Sequence, residues 1–129
     1  MHIEHIAIWT NQLEQMREFY ENYFQARAGK RYFNQTKQIA SYFLNFSSSA
    51  RLELMTHLIV PEADTLTGSQ SRENFHIAIS VGSEGAVDLL TEQIQNDGYQ
   101  VVDGPRRTGD GYYECVILDP DGNRVEITV

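Results

Sequence analysis

Hydrophobic and polar residues follow two short-period patterns in alternation, one suited to strands and one to helices. Residues 3–9 alternate, are rich in Ile and end on Trp9, which predicts a strand. Asn11 followed three residues later by Glu14 matches a helix capping box. Leu13, Met16, Phe19 or Tyr20, and Tyr23 or Phe24 then recur at three- and four-residue spacing, predicting an amphipathic helix to about residue 24. Three strands are predicted over 30–34, 39–46 and 50–56. The same order then returns. Residues 75–81 read as a strand, and Ser83 caps a helix with the apolar face Ala86, Val87, Leu90 and Ile94, ended by Gly98. Strands follow near 99–103, 112–118 and 124–129. The last two are joined by Asp119-Pro120-Asp121-Gly122-Asn123, a strong turn signal. The predicted order is β-α-β-β-β, twice, an α+β chain.

The residues themselves repeat. His5-Ile6-Ala7-Ile8 recurs unchanged as His76-Ile77-Ala78-Ile79, 71 residues later, and Arg51-Leu52-Glu53-Leu54 resembles Arg124-Val125-Glu126-Ile127, 73 residues later. The His-to-Glu interval is 48 residues in the first half and 50 in the second. Two matched pairs at nearly one offset predict two modules, about 1–57 and 74–129, in a single domain. A linker is expected near residues 58–73, which hold Pro61 and Gly68 and little periodicity.

Composition narrows the function classes. With 129 residues, 41% of them hydrophobic, the chain is long enough to bury a core. Ten Lys and Arg against 18 Asp and Glu give a net charge of -8, which disfavours phosphate backbones and anionic lipid as partners. Cys115 is the one cysteine, which excludes an intrachain disulfide and a multi-cysteine zinc site. No basic segment leads into an apolar run at the start, and no run approaches a bilayer span, so a soluble cytoplasmic protein is expected.

Strand alternation places His5 and Ala7 on one face and Ile6 and Ile8 on the other, and does the same for His76 and Ala78 against Ile77 and Ile79. Leu52 and Leu54 flank Glu53, as Val125 and Ile127 flank Glu126. The aliphatic face is expected to pack the helix, leaving His5, Glu53, His76 and Glu126 on the opposite one. On a curved sheet these four would converge. A single strand glutamate is ordinarily solvated and a single histidine ordinarily structural. Recurrence of both at repeat-equivalent positions is what points to a shared role. Two imidazoles and two carboxylates suit a divalent metal such as Zn, Ni, Co, Mn or Fe.

These residues, with Phe75-His76-Ile77-Ala78-Ile79-Ser80-Val81 and Asp119 to Glu126, resemble the vicinal oxygen chelate superfamily over the whole chain. That superfamily includes glyoxalase I, extradiol dioxygenases, fosfomycin resistance proteins and bleomycin-binding proteins. The resemblance implies a pair of βαβββ modules whose curved sheets enclose a metal site. The pattern looks most like glyoxalase I, where each module gives one ligand from its first strand and one from its last. By motif those are His5, Glu53, His76 and Glu126. Fosfomycin resistance proteins and dioxygenases use two His and one Glu, which leaves Glu53 surplus, and bleomycin-binding proteins lack the metal set.

The resemblance implies a lyase or isomerase for a hemithioacetal of a 2-oxoaldehyde and a thiol, running through a metal-stabilised enediolate with a glutamate as general base. Glu126 is the first candidate for that base and Glu53 the second. The other readings are a thiol transferase that modifies an antibiotic and a binding protein that sequesters a small molecule. Family members commonly dimerise, so a homodimer is expected. Glutathione-using members carry an arginine four residues after the first ligand histidine and an asparagine four residues after the first glutamate. Here those positions are Trp9 and His57, so the glutathione contacts are not carried over. Trp9, Tyr113 and Arg106 are candidate pocket residues, Arg106 being expected on a loop after Pro105.

Overall fold

A computed structural model of the chain describes residues 1–48, 50–59 and 75–129. The expected linker therefore falls mostly outside the described residues. The chain divides into two compact units, Met1–Gly68 and Ser69–Val129. The fold is α+β, with one sheet in each unit.

In the first unit, strand β1 (His5–Trp9) leads into helix α1 (Leu13–Phe24), then β2 (Arg27–Ala28), β3 (Tyr32–Asn34), β4 (Ile39–Asn45) and β5 (Arg51–His57). The sheet order is β1-β5-β4-β2, with β3 also on β4. β1 and β5 run parallel, pairing Ala7 with Glu53, while β4 and β5 are antiparallel, pairing Phe43 with Glu53. Leu13, Met16, Phe19, Tyr20 and Phe24 of α1 are buried, as are Leu44, Leu52 and Leu54 of the sheet. Full burial of each such side chain stabilises the unit by about 1.5–3 kcal/mol. This packing consumes the Leu52/Leu54 face and so commits Glu53 to the other.

The helix start differs from the capping-box expectation. Thr10, itself buried, accepts a hydrogen bond from the Gln12 amide at 2.8 Å through its hydroxyl. That turn puts Gln12 rather than Asn11 in the cap position. The Glu14 carboxylate takes bonds from Arg17 Nε at 3.0 Å and from the Tyr42 hydroxyl at 3.1 Å. The strand expected over 30–34 is shorter, β3 at Tyr32–Asn34, and is preceded by β2, which the periodicity did not predict; both are antiparallel to β4.

In the second unit, β6 (His76–Ser80) leads into α2 (Glu84–Asn96), then β7 (Val101–Arg107), β8 (Tyr113–Leu118) and β9 (Arg124–Thr128). The order β6-β9-β8-β7 matches that of the first sheet, and β6 lies parallel to β9 with Ala78 opposite Glu126. Val87, Thr91 and Ile94 of α2 are buried, as are Cys115, Ile117, Val125 and Ile127. Ser83 caps α2 as expected, its hydroxyl accepting from the Ala86 amide at 3.2 Å. Ser83→Ala is expected to lower stability by about 1 kcal/mol, read as a lower urea midpoint at unchanged slope.

The turn between β8 and β9 is held from inside. Buried Asp119 accepts bonds through Oδ1 from the amides of Asp121 and Asn123, at 3.0 and 2.8 Å. This fixes the β8–β9 register and hence what stands beside Glu126. β7 runs on to Arg107, so Arg106 and Arg107 lie on a strand and not on the expected loop. β7 is an edge strand with register shifts between Val101 and Asp103 and between Asp103 and Arg106. Such bulges accommodate a proline that would end an inner strand. No helix among the described residues is long and apolar enough to cross a membrane.

Candidate metal and active site

Both units place a histidine and a glutamate in the same way. In the first, β1 and β5 present His5 and Glu53 on the face away from α1, two register positions apart, with His5 Nε2 at 3.7 Å from Glu53 Oε2. In the second, His76 Nε2 lies 3.6 Å from Glu126 Oε2 across the equivalent β6–β9 register. The two glutamate side chains are 15% and 20% exposed against 40% and 57% for the histidines, so each pair is a shielded carboxylate beside an open imidazole.

The donor chemistry suits a divalent metal. Two N or O ligands at ~2.0–2.2 Å from an ion such as zinc stand roughly 3–3.5 Å apart. Each pair approaches that separation with small side-chain adjustment. Among the described residues, no group of three or more His, Cys, Asp or Glu side chains gathers closely enough to hold an ion. What the structure brings together is therefore one two-donor pair per unit.

The surroundings of the two pairs differ. Beside Glu53 stands Phe43, its direct partner on β4, whose ring meets His5 edge-on at 5.3 Å. Beside Glu126 the partner on β8 is Val116, and two residues back on the same face is Glu114. Burial pushes the Glu114 carboxyl above the usual range, helped by a hydrogen bond with Glu126 and the repulsion of its charge, while Arg106 pulls it back down. Arg106 is the β7 partner of Glu114 and is itself held by Asp103, with Nε at 3.0 Å from both carboxylate oxygens. Glu114 is a site neighbour that the repeat does not mark, since the equivalent position in the first unit is Ser41.

Trp9 lies on the His5 face, two pleats along, half-exposed and stacked on His57 with centroids 4.3 Å apart and planes at 11°. The two positions that carry glutathione contacts in glutathione-using members thus form an aromatic pair with each other. Tyr113 lies on the other face of its sheet, toward α2. Its hydroxyl bonds to Asp88 Oδ1 at 2.7 Å, and that bond raises its pKa. It does not stand beside Glu126. Cys115 is buried with Sγ 2.9 Å from the Thr91 hydroxyl, and burial pushes its thiol pKa up, which suits a core residue.

Comparison with known proteins agrees with the fold. Residues 2–127 match the Glyoxalase/Bleomycin resistance protein/Dioxygenase superfamily. The chain belongs to that superfamily. Among solved structures it is similar to a possible glyoxalase from Bacillus cereus, at 22% identity and TM-score 0.71, covering 100% of this chain and 99% of that one. It is also similar to the trypanothione-dependent glyoxalase I of Leishmania major, at 20% identity and TM-score 0.72, covering 99% and 86%. A third is a lactoylglutathione lyase from Agrobacterium tumefaciens, at 18% identity and TM-score 0.70, covering 98% and 92%. At these identities the likeness is one of fold. No curated protein matches the chain.

Proposed function

We propose that this member of the superfamily is a metal-dependent glyoxalase-type lyase or isomerase. The observation that carries the reading is the repeated His–Glu pair, at 3.7 and 3.6 Å in equivalent registers. His5, Glu53, His76 and Glu126 are the proposed ligands, each through the atom that faces its partner. The substrate class is a small molecule with two adjacent oxygens, such as the hemithioacetal of a 2-oxoaldehyde and a thiol. A divalent ion, when bound, supplies Lewis acidity toward those oxygens. Glu126 takes the proton from the carbon beside the carbonyl and returns it to the neighbouring carbon, with Glu53 the other candidate.

Glu114 favours Glu126 over Glu53 for that role. Glu126 has a second carboxyl, Glu114, within hydrogen-bond reach with which a proton can be exchanged, and Glu53 has Phe43 in its place. Trp9 stays in the proposal as a pocket wall, with Arg106 as a positive charge beside Glu114. The Trp9–His57 stack replaces the polar contacts of glutathione-using relatives, so a thiol other than glutathione is expected. A homodimer is the proposed assembly.

The test is elemental analysis of untagged protein, followed by hemithioacetal consumption with methylglyoxal and a panel of thiols. Near-stoichiometric divalent metal and turnover with at least one thiol is the expected result. Absence of bound metal would remove the metalloenzyme reading, and metal without turnover on any thiol would remove the glyoxalase assignment.

A further inference from the structure

The two His–Glu pairs share register and spacing but differ in what holds the histidine. Glu4, immediately before β1, bonds through Oε2 to His5 Nδ1 and through Oε1 to the Arg51 guanidinium. Arg51 is the β5 partner of His5, and its backbone amide also donates to the Glu4 carbonyl at 3.0 Å. The Arg51 guanidinium in turn lies 4.2 Å from the centre of the Phe43 ring, and Phe43 meets the His5 ring edge-on at 89°. Glu4, Arg51, Phe43 and His5 thus form a closed ring of contacts around one imidazole. In the second unit the residue before His76 is Phe75, which has no carboxylate to offer.

An ionised carboxylate can only accept a hydrogen bond, so the imidazole nitrogen facing Glu4 carries the proton in neutral His5. The other nitrogen, Nε2, which faces Glu53, then carries the lone pair. We propose that Glu4 is a positioning residue: clamped by Arg51, it fixes His5 as the Nδ1–H tautomer and presents Nε2 as a ready donor beside Glu53. The purpose of this arrangement rests on the metal-site reading above, but its geometry does not. Glu4 and His5 are about half-exposed, so water competes for the bond. The Arg51 clamp and the Phe43 edge contact oppose that competition by restricting both partners. Hydrogen bonds from outer carboxylates orient ligand histidines, and their loss typically costs ~10–100-fold in metal affinity.

The tautomer is read directly in metal-free, 15N-labelled protein by long-range 1H–15N correlation of the imidazoles. The measurement is made at about pH 8.5, where an ordinary imidazole of pKa ~6.5 is neutral. His5 is expected as Nδ1–H in the unaltered protein and in Glu4→Gln, which keeps an acceptor oxygen. Glu4→Ala is expected to move it to a mixture rich in Nε2–H and to leave the His76 signals unchanged, which also shows that the fold is intact. A zinc competition titration should then show affinity lowered ~10–100-fold in Glu4→Ala and largely retained in Glu4→Gln. An Nε2–H His5 in the unaltered protein, or one whose tautomer ignores Glu4→Ala, would overturn the proposal. Failure of the unaltered protein to bind metal would instead overturn the proposed function, and the tautomer, read without metal, would still decide the role of Glu4.

Discussion

Glu126→Gln is expected to lower kcat for hemithioacetal conversion by about 10²–10⁴-fold, the range a positioned general base contributes. Glutamine keeps the shape and one oxygen but cannot accept the substrate proton. Glu126→Ala is expected to weaken metal binding as well, because it removes a donor outright from the pair with His76. The matched variant Glu53→Gln separates the two glutamates. Its carboxylate has the same histidine geometry, yet its β4 neighbour is Phe43, where Glu126 has Glu114 within hydrogen-bond reach. Glu53→Gln should therefore act mainly on metal affinity, with a much smaller fall in kcat once metal is saturating. Steady-state kinetics at saturating metal, beside a metal titration of each variant, checks the split. Equal losses of kcat in both variants would show that the Glu114 neighbour does not set the roles.

The same comparison tests Glu114 by its titration. Its raised carboxyl pKa comes first from burial and then from Glu126. A carboxyl raised in the folded state favours folding most below its unfolded pKa, and that contribution is lost as pH rises through the folded one. Removing Glu126 takes away the hydrogen bond and the repelling charge while leaving the burial. In metal-free Glu126→Ala the Glu114 titration, followed by carbonyl NMR, should move down toward the usual range without reaching it.

Much of this site is legible in the sequence because it is written twice. The His5 and His76 tetrapeptides, with the Glu53 and Glu126 strands, give the parallel β1–β5 and β6–β9 pairs their common face pattern, and the structure keeps that pattern. What the repeat does not write twice stays hidden. Glu114 has Ser41 as its equivalent, so no recurrence marks it. Its place could have been counted back from the Asp119–Asn123 turn, which sets Val116 opposite Glu126 and Glu114 two residues away on the same face. Glu4 is hidden for a different reason. Its contact partner Arg51 is 47 residues distant, and only the parallel register brings them together. The same phase argument in reverse places Tyr113, which alternates with Cys115 and Ile117 and so faces α2. Asn11 follows a capping pattern that the Thr10 turn overrides, moving the cap one residue later, to Gln12.

Gly104→Ala is expected to destabilise the protein by about 2–5 kcal/mol. Gly104 sits in the β7 bulge with φ at +79°, a left-handed conformation that costs an L side chain ~1–2 kcal/mol. A Cβ there would also lie 2.5 Å from the Glu114 carbonyl oxygen and 3.0 Å from Cys115 Cα. Those are backbone atoms of β8, fixed on their other side by β9, so relief requires moving β7 outward. An overpacking cost of ~1–3 kcal/mol is added to the backbone strain. Gly98→Ala separates the two contributions. Gly98 has φ at +92° after α2 but nothing within 4 Å of the added carbon, so it should lose only the backbone part. The difference between the two urea midpoints at a common slope measures the steric part. Displacing β7 also carries Arg106 away from Glu114, its register partner. Arg106 lowers the Glu114 pKa, so its retreat should raise that pKa further in Gly104→Ala and leave it unchanged in Gly98→Ala. Equal midpoints for the two variants would mean that β7 yields freely at the bulge, and that the tight approach of Gly104 to β8 does not hold Arg106 in place.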